Sequence, residues 1–584
     1  MRRHSETPTP RRILISVLTP TLAALALSMV MAGCSGNRRE EPPKDAPAHD
    51  NGSEHGAAGA NSGSPGAPAP LPLFTDLGDY HFPITTEVPR AQQYFDQGIR
   101  LCYAFNLEEA KLAFEEAARL DPKCAMAWWG VAYALGPNIN VPRLPDQMKE
   151  AGPAIRKAAD LTEGISPRER DLIAALAKRY SDDPNAKPAD LDLAYATAMG
   201  EVHKRYPDDL DAATLYAESL MDLRPWQLWT LDYQPNPGTP EIVELLESVL
   251  ARSPNHPGAN HFYIHAMEAS GHPEKALPSA ERLHTLMPGA GHLVHMPFHI
   301  YSRLGRYDDA ALCNMKAVDA DRHYQKLGRQ NLYLMMYYPH NIHSLAASLA
   351  MAGRGADAIA ASHDLSEAVP FKMAQEMQMT EFFLPMHALM LARFGKWDEV
   401  LAEPRPPDSL KYASGSWHFA RGLALAAKGK YDEAGAEQKA LAAIAASTPP
   451  DTMESLNRAK DVLDTATRNL AGEIAVRRGR LDDGIKELTE AVRLQDHLNY
   501  DEPAPWYYPV RQSLGAALLQ AKKYAEAEAV YRKDLEKWPD NGWSLFGLSE
   551  SLRLQNKKDE AAAVQERFRK AWQKADVTLT ASRF

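Results

Sequence analysis

A template of 34 residues recurs along this chain and restricts it to folds built from stacked copies of one small unit. In "AQQYFDQGIRLCYAFNLEEAKLAFEEAARLDP", starting at Ala91, the residues Gly98, Ala110, Phe114, Ala117 and Pro122 take places 8, 20, 24, 27 and 32. Apolar residues spaced by three and four mark two amphipathic helices. Small residues let those helices approach closely, and the proline ends the second one. The frame starts again at Pro257, Gly291, Pro339, Glu381, Gly415, Thr465, Tyr508 and Gly542, several of them 34 residues apart with no gap. One such unit cannot bury its own apolar face, so the core must come from stacking neighbours. A chain of 584 residues is long enough for an extended array of this kind.

These small, aromatic and terminating positions closely resemble the tetratricopeptide repeat (TPR) superfamily. The resemblance implies an all-α, TPR-type α-solenoid of antiparallel helix pairs. It also implies a concave groove, lined by one face of each first helix, where a protein or peptide partner docks. The front half, residues 74–256, is irregular: it carries the insertions "GPNINVPRLP" and "RPWQLWTLDYQPNPGTP". Insertions in solenoids commonly project at a working face, although Trp226 and Trp229 read first as local packing of their loop. Central repeats occupy 257–380 and C-terminal repeats 381–584; within the latter, units from 465 to 575 read as plain scaffold.

The amino terminus reads as an address. Arg2, Arg3, Arg11 and Arg12 flank an apolar run from Ile13 to Met31, followed by Ala32-Gly33-Cys34. This is the layout of a secretory signal over residues 1–33. The ending "MAGCS" resembles a bacterial lipobox, which implies lipidation at Cys34, and Ser35 after it implies the outer membrane, facing the periplasm. An uncleaved anchor helix is the other reading of the same run. Residues 34–73 are rich in Pro, Gly, Ala and Ser and read as a flexible tether. Removing residues 1–33, with four Arg against one Glu, takes the formal net charge from −11 to −14. So acidic a chain lacks the basic stripe of a nucleic-acid binder. Besides Cys34 there are Cys102, Cys124 and Cys313; a Cys102–Cys124 disulfide and buried free thiols both stay open.

The sharpest chemical signal is histidine placed in register. His261, His295 and His343 take the fifth place of their units, His265 and His299 the ninth, and His292 and His340 the second. Places 2, 5 and 9 share one face of a helix. By the resemblance, that face lines the groove. First helices of adjacent repeats pack roughly 8–10 Å apart, so imidazoles from neighbouring rungs can converge. Glu268 adds a carboxylate ligand or an acceptor that orients an imidazole. These residues point to a transition metal ion, zinc, copper or iron, because calcium and magnesium want more oxygen ligands. A metal-free ligand groove and a set of duplicated structural histidines are the competing readings. The spacing lacks the "HExxH" of metalloproteases, and no phosphate-cradling loop or CxxC pair occurs. Three functions remain: an interaction scaffold, a metal-dependent enzyme (an oxidoreductase among the options), and a metal-binding lipoprotein without turnover.

Overall fold

The computed structural model describes residues 71–329 and 331–584. The expected signal segment, Cys34 and nearly all of the tether lie outside the described residues. The last tether residues are docked rather than free. Tyr94 donates to the Leu71 carbonyl at 2.6 Å and Gln97 to the Pro72 carbonyl at 3.1 Å. Leu71 and Leu73 break the polar composition and pack on the core, so the folded part starts a few residues before position 74.

From Pro89 to Ala571 the described chain is an all-α solenoid of antiparallel helix pairs; a two-stranded hairpin, Met453–Glu454 with Asn457–Arg458, interrupts it. The aromatic place of the template explains its glycines. Phe114 is wedged between two first helices: a Cβ on Gly98 would lie 2.5 Å from its ring, and one on Gly130 2.4 Å. Tyr531 repeats the arrangement between Gly515 and Gly547, at 2.3 and 2.1 Å. A helix glycine ordinarily costs up to about 1 kcal/mol relative to alanine. Here overpacking outweighs that gain, and Gly547→Ala is expected to destabilise by about 1–3 kcal/mol. A urea midpoint that is unchanged or raised would show that the ring is not wedged.

The array curls so that both ends return to its middle. Near the start, Phe105 and Tyr103 pack against the helix Pro257–Glu268, and Glu109 pairs with Arg329 at 2.9 Å. At the other end, Trp543 donates to the Ala350 carbonyl at 3.1 Å, and Asp576 accepts from the amides of Gly355 and Ala356. Cys102, Cys124 and Cys313 are buried free thiols, which decides between the two readings of them.

Two central rungs depart from the regular frame. The first helix of the unit at Gly291 is split into Gly291–His295 and Pro297–Arg303, because Pro297 has no amide to continue the ladder. The helix carrying His340 and His343 starts at Leu332, before the expected Pro339, where Asn331 caps it by accepting from the Leu334 amide at 3.1 Å. The added turns bring Tyr333 and Tyr337 beside His292: Tyr337 lies 4.5 Å from it ring to ring.

Candidate metal centre

Three consecutive rungs deliver the histidines. Pro257–Glu268 carries His261 and His265, the split helix carries His292, His295 and His299, and Leu332–Met351 carries His340 and His343. All but His340 are at most 5 % exposed. The expectation of an open groove is therefore corrected at these rungs. Phe105 stacks on His292 and His265, Trp226 lies edge-on to His265, and the segment around Glu502 covers His299.

The structure brings six of the seven histidines into two adjoining groups. His261, His265 and His292 form one, and His295, His299 and His340 the other; within each, one nitrogen per ring lies within 4.8 Å of the others. The groups touch: His265–His299 and His292–His295 ring centroids are each 5.8 Å apart. His343 belongs to neither. Its Nε2 is 2.5 Å from the Tyr507 hydroxyl, and its ring packs on Phe382 and Phe383. Glu268 meets Glu502 at His299, and these three form a further candidate group.

Four of the six rings turn Nδ1 toward an oxygen outside their group, whereas His292 Nδ1 has no partner. His261 Nδ1 donates to the Tyr103 carbonyl at 2.7 Å, and His265 Nδ1 lies 2.9 Å from Glu268 Oε1. His295 Nδ1 is 2.6 Å from Asn314 Oδ1, and Asn314 Nδ2 donates to the Ala310 carbonyl at 2.9 Å. That second bond fixes the amide orientation, so His295 must donate through Nδ1. His299 Nδ1 is 2.8 Å from Glu502 Oε1 and 3.3 Å from Glu268 Oε2, ion-pair contacts whose angles do not make hydrogen bonds. Two acid oxygens so close also favour the proton on Nδ1.

The consequence falls on the other nitrogens. With hydrogen on Nδ1, a neutral imidazole has a bare lone pair on Nε2. His295 Nε2 nevertheless lies 2.9 Å from His299 Nε2, and His340 Nε2 is 3.1 Å from His295 Nε2. In the other group His261 Nε2 and His292 Nε2 are 3.2 Å apart, and His265 Nε2 has no partner. Protonating a ring would relieve such a contact, but burial opposes it. Desolvation, then the neighbouring imidazoles, hold His265, His292 and His295 well below the ordinary histidine range. Burial also lowers His299 and His340, and pushes His261 down to about 3. Neutral imidazoles with inward lone pairs are a donor set that fits a transition-metal cation.

The acids behind His299 are unequal. Burial first, and then adjacent Glu502, raise the Glu268 carboxyl well above the usual range. Arg303 holds this helix end by donating to the carbonyls of Glu268 and Ser270 at 2.5 and 3.0 Å. Tyr500 donates to Glu502 Oε1 at 2.7 Å.

Glu502 was not visible as a candidate site residue, since it lies within 465–575, which read as plain scaffold. One signal marks it: residues 499–507 are nine residues outside the 34-residue frame, between the units at Thr465 and Tyr508. Trp226 is likewise more than local packing, since it touches His265, whereas Trp229 packs by donating to the Ala266 carbonyl at 2.7 Å. A cavity of about 600 Å³ opens beside the centre, where His299, Glu502 and Trp226 form part of its wall.

Comparison with known proteins detects the repeat in part of the chain. No curated protein matches the chain. A human IFIT1 dimer with m7Gppp-AAAA aligns over 85% of this chain and 92% of its own, at 12% identity and a TM-score of 0.31. A structure of Naa15/Naa10 bound to HypK-THB aligns over 83% of this chain and 74% of its own, at 14% identity and a TM-score of 0.21. The family model described as tetratricopeptide repeat matches residues 95–135, 469–542 and 513–576, in keeping with the helix pairing of an all-α repeat solenoid.

Proposed function

We propose that this TPR-type protein binds transition metal, its central rungs holding two ions side by side on three imidazoles each. One observation carries the reading: His295 Nε2 and His299 Nε2 face each other at 2.9 Å while both Nδ1 atoms face acceptor oxygens behind them. An intervening cation replaces that repulsion with two ligand bonds. The nitrogen-rich set suits zinc, copper or iron, and three protein ligands leave each ion an open position. Tyr103, Asn314, Glu268 and Glu502 hold the rings from behind through Nδ1. Metal analysis of protein purified from metal-replete medium is expected to give up to two equivalents per chain. His295→Ala should lose the ion of its own group and His261→Ala that of the other. A parent that holds no transition metal after loading would end the proposal.

A catalytic use, as a metal-dependent enzyme and as an oxidoreductase where the ion is copper or iron, is favoured by the cavity that meets His299. The remaining solenoid surface suits an interaction scaffold for a protein partner, as tetratricopeptide repeats commonly are. The lipobox-like run ending at Cys34 supports an exported lipoprotein held at the outer membrane and facing the periplasm. Cys34→Ala is expected to abolish labelling by radioactive palmitate and to release the protein from membranes. Labelling that survives the substitution would refute the anchor.

A further inference from the structure

The cavity beside the centre is rich in hydrogen-bond donors without partners. Arg393 is 3 % exposed, and its Nε has no hydrogen-bond partner. Its guanidinium donates only to neutral groups, Gln512 Oε1 at 3.2 Å and the Met351 sulfur at 3.8 Å, and sits 4.4 Å from the Trp543 ring. The buried Tyr307 hydroxyl and the indole nitrogen of Trp506, on the same wall, also lack partners. Arg303 spends its donors on two backbone carbonyls, and Lys537 lies 5.9 Å from the Trp538 ring. Among the described residues, none of these three cations pairs with a carboxylate.

The acids on the wall are all engaged elsewhere. Asp496 takes both Arg511 nitrogens at 2.7 and 2.6 Å. Asp501 accepts from Ser455, Asn457 and the Leu456 amide, and Glu502 faces His299. Uncompensated buried charge is expensive: burial has pushed the Arg393 guanidinium down to about 10, and burial first, then Arg511 and Arg303, lower the Lys537 ammonium. An anion in the cavity relieves that cost and satisfies the bare donors together. Aromatic side chains, Trp226, Phe298, Tyr500 and Trp538, stand among the rest of the wall. A volume of about 600 Å³ is that of a small-molecule site rather than a peptide groove.

We infer that this cavity is the binding site of a small aromatic carboxylate, its ring among the aromatic side chains and its charge met by Arg303, Arg393 and Lys537. The site rests on the cavity's own residues and does not require the metal centre. The test is calorimetric titration of the full chain with 2-naphthoate and with neutral 2-naphthamide, in chelator-treated and in metal-loaded protein. Naphthoate is expected to bind at least tenfold more tightly than naphthamide in both forms. Lys537→Gln and Arg303→Gln should each cost naphthoate about tenfold and leave naphthamide unchanged; circular dichroism checks folding, and Lys537→Gln suffices if the other unfolds. Equal affinities, no naphthoate binding, or indifference to the folded variants would overturn the assignment. So would binding confined to metal-loaded protein, which would put the anion on the metal. Because the chelated protein is expected to bind, a failed metal centre leaves this result separately readable.

Discussion

Metal-stripped protein is expected to lose most of its stability between pH 7 and pH 5. The six grouped imidazoles, five buried and His340 partly so, have their protonation constants lowered, His261 to about 3. In the unfolded chain they titrate near the ordinary value of about 6.5. As pH falls below that value the unfolded state takes up protons that the folded state refuses, so unfolding becomes easier. The contribution is complete above about pH 6.5 and is lost progressively on the way down, to about pH 3 for His261. Each such ring costs about 1.4 kcal/mol per pH unit, or about 2 kcal/mol by pH 5. Even half of the set then removes about 6 kcal/mol, against a typical total of about 5–15 kcal/mol. Thermal melts followed by circular dichroism at pH 7, 6 and 5 should show the midpoint falling by about 10 °C or more in stripped protein. Metal-loaded protein should hold its midpoint at pH 7 and 6, then fall as protons displace the ions. A stripped protein whose melt is flat from pH 7 to 5 would mean that the imidazoles are already charged, and the neutral donor set would be wrong.

The parts of this centre differ in how plainly the chain announces them. The repeat frame carries the fold because each unit needs the same small and aromatic residues at the same places, as Gly98 against Phe114 and Gly515 against Tyr531 show. Six of the seven predicted histidines converge because equal places on stacked helices are neighbours in space. His343 fails for a local reason: it shares the fifth place but faces Tyr507 and two phenylalanines instead of the other rings. Pro297 breaks the expected single helix, yet His295 and His299 still meet across the break. What the frame cannot reveal lies outside it. Trp226 comes from the insertion before Thr239, and Glu502 from the nine residues ahead of Tyr508; the hairpin segment before Thr465 supplies Ser455 and Asn457 to hold Asp501. These insertions have no periodicity to read, but their interruption of a regular array marks where the solenoid covers its own groove.

Glu502→Gln is expected to weaken metal binding about tenfold, and the double variant Glu268→Gln, Glu502→Gln about a hundredfold, within the span usual for groups behind a ligating histidine. The acids are coupled, so the second substitution removes what the first leaves in reserve. Glu502 Oε1 lies 2.8 Å from His299 Nδ1, an oxygen that favours the proton there and makes Nε2 a better ligand. The same side chain raises the Glu268 carboxyl, second only to burial. Once residue 502 is neutral, Glu268 ionises more easily and can serve His299 from 3.3 Å. Only the double variant leaves the imidazole without a carboxylate, while glutamine preserves volume and hydrogen-bonding reach at both positions. His343→Ala is the matched control: it removes a buried histidine outside both groups, so metal affinity should stay within about twofold even if folding stability falls. Competition against a chromophoric chelator measures all three variants on one scale. Parental affinity in the double variant would reduce the acids to packing partners, and metal loss in His343→Ala would redraw the boundary of the centre.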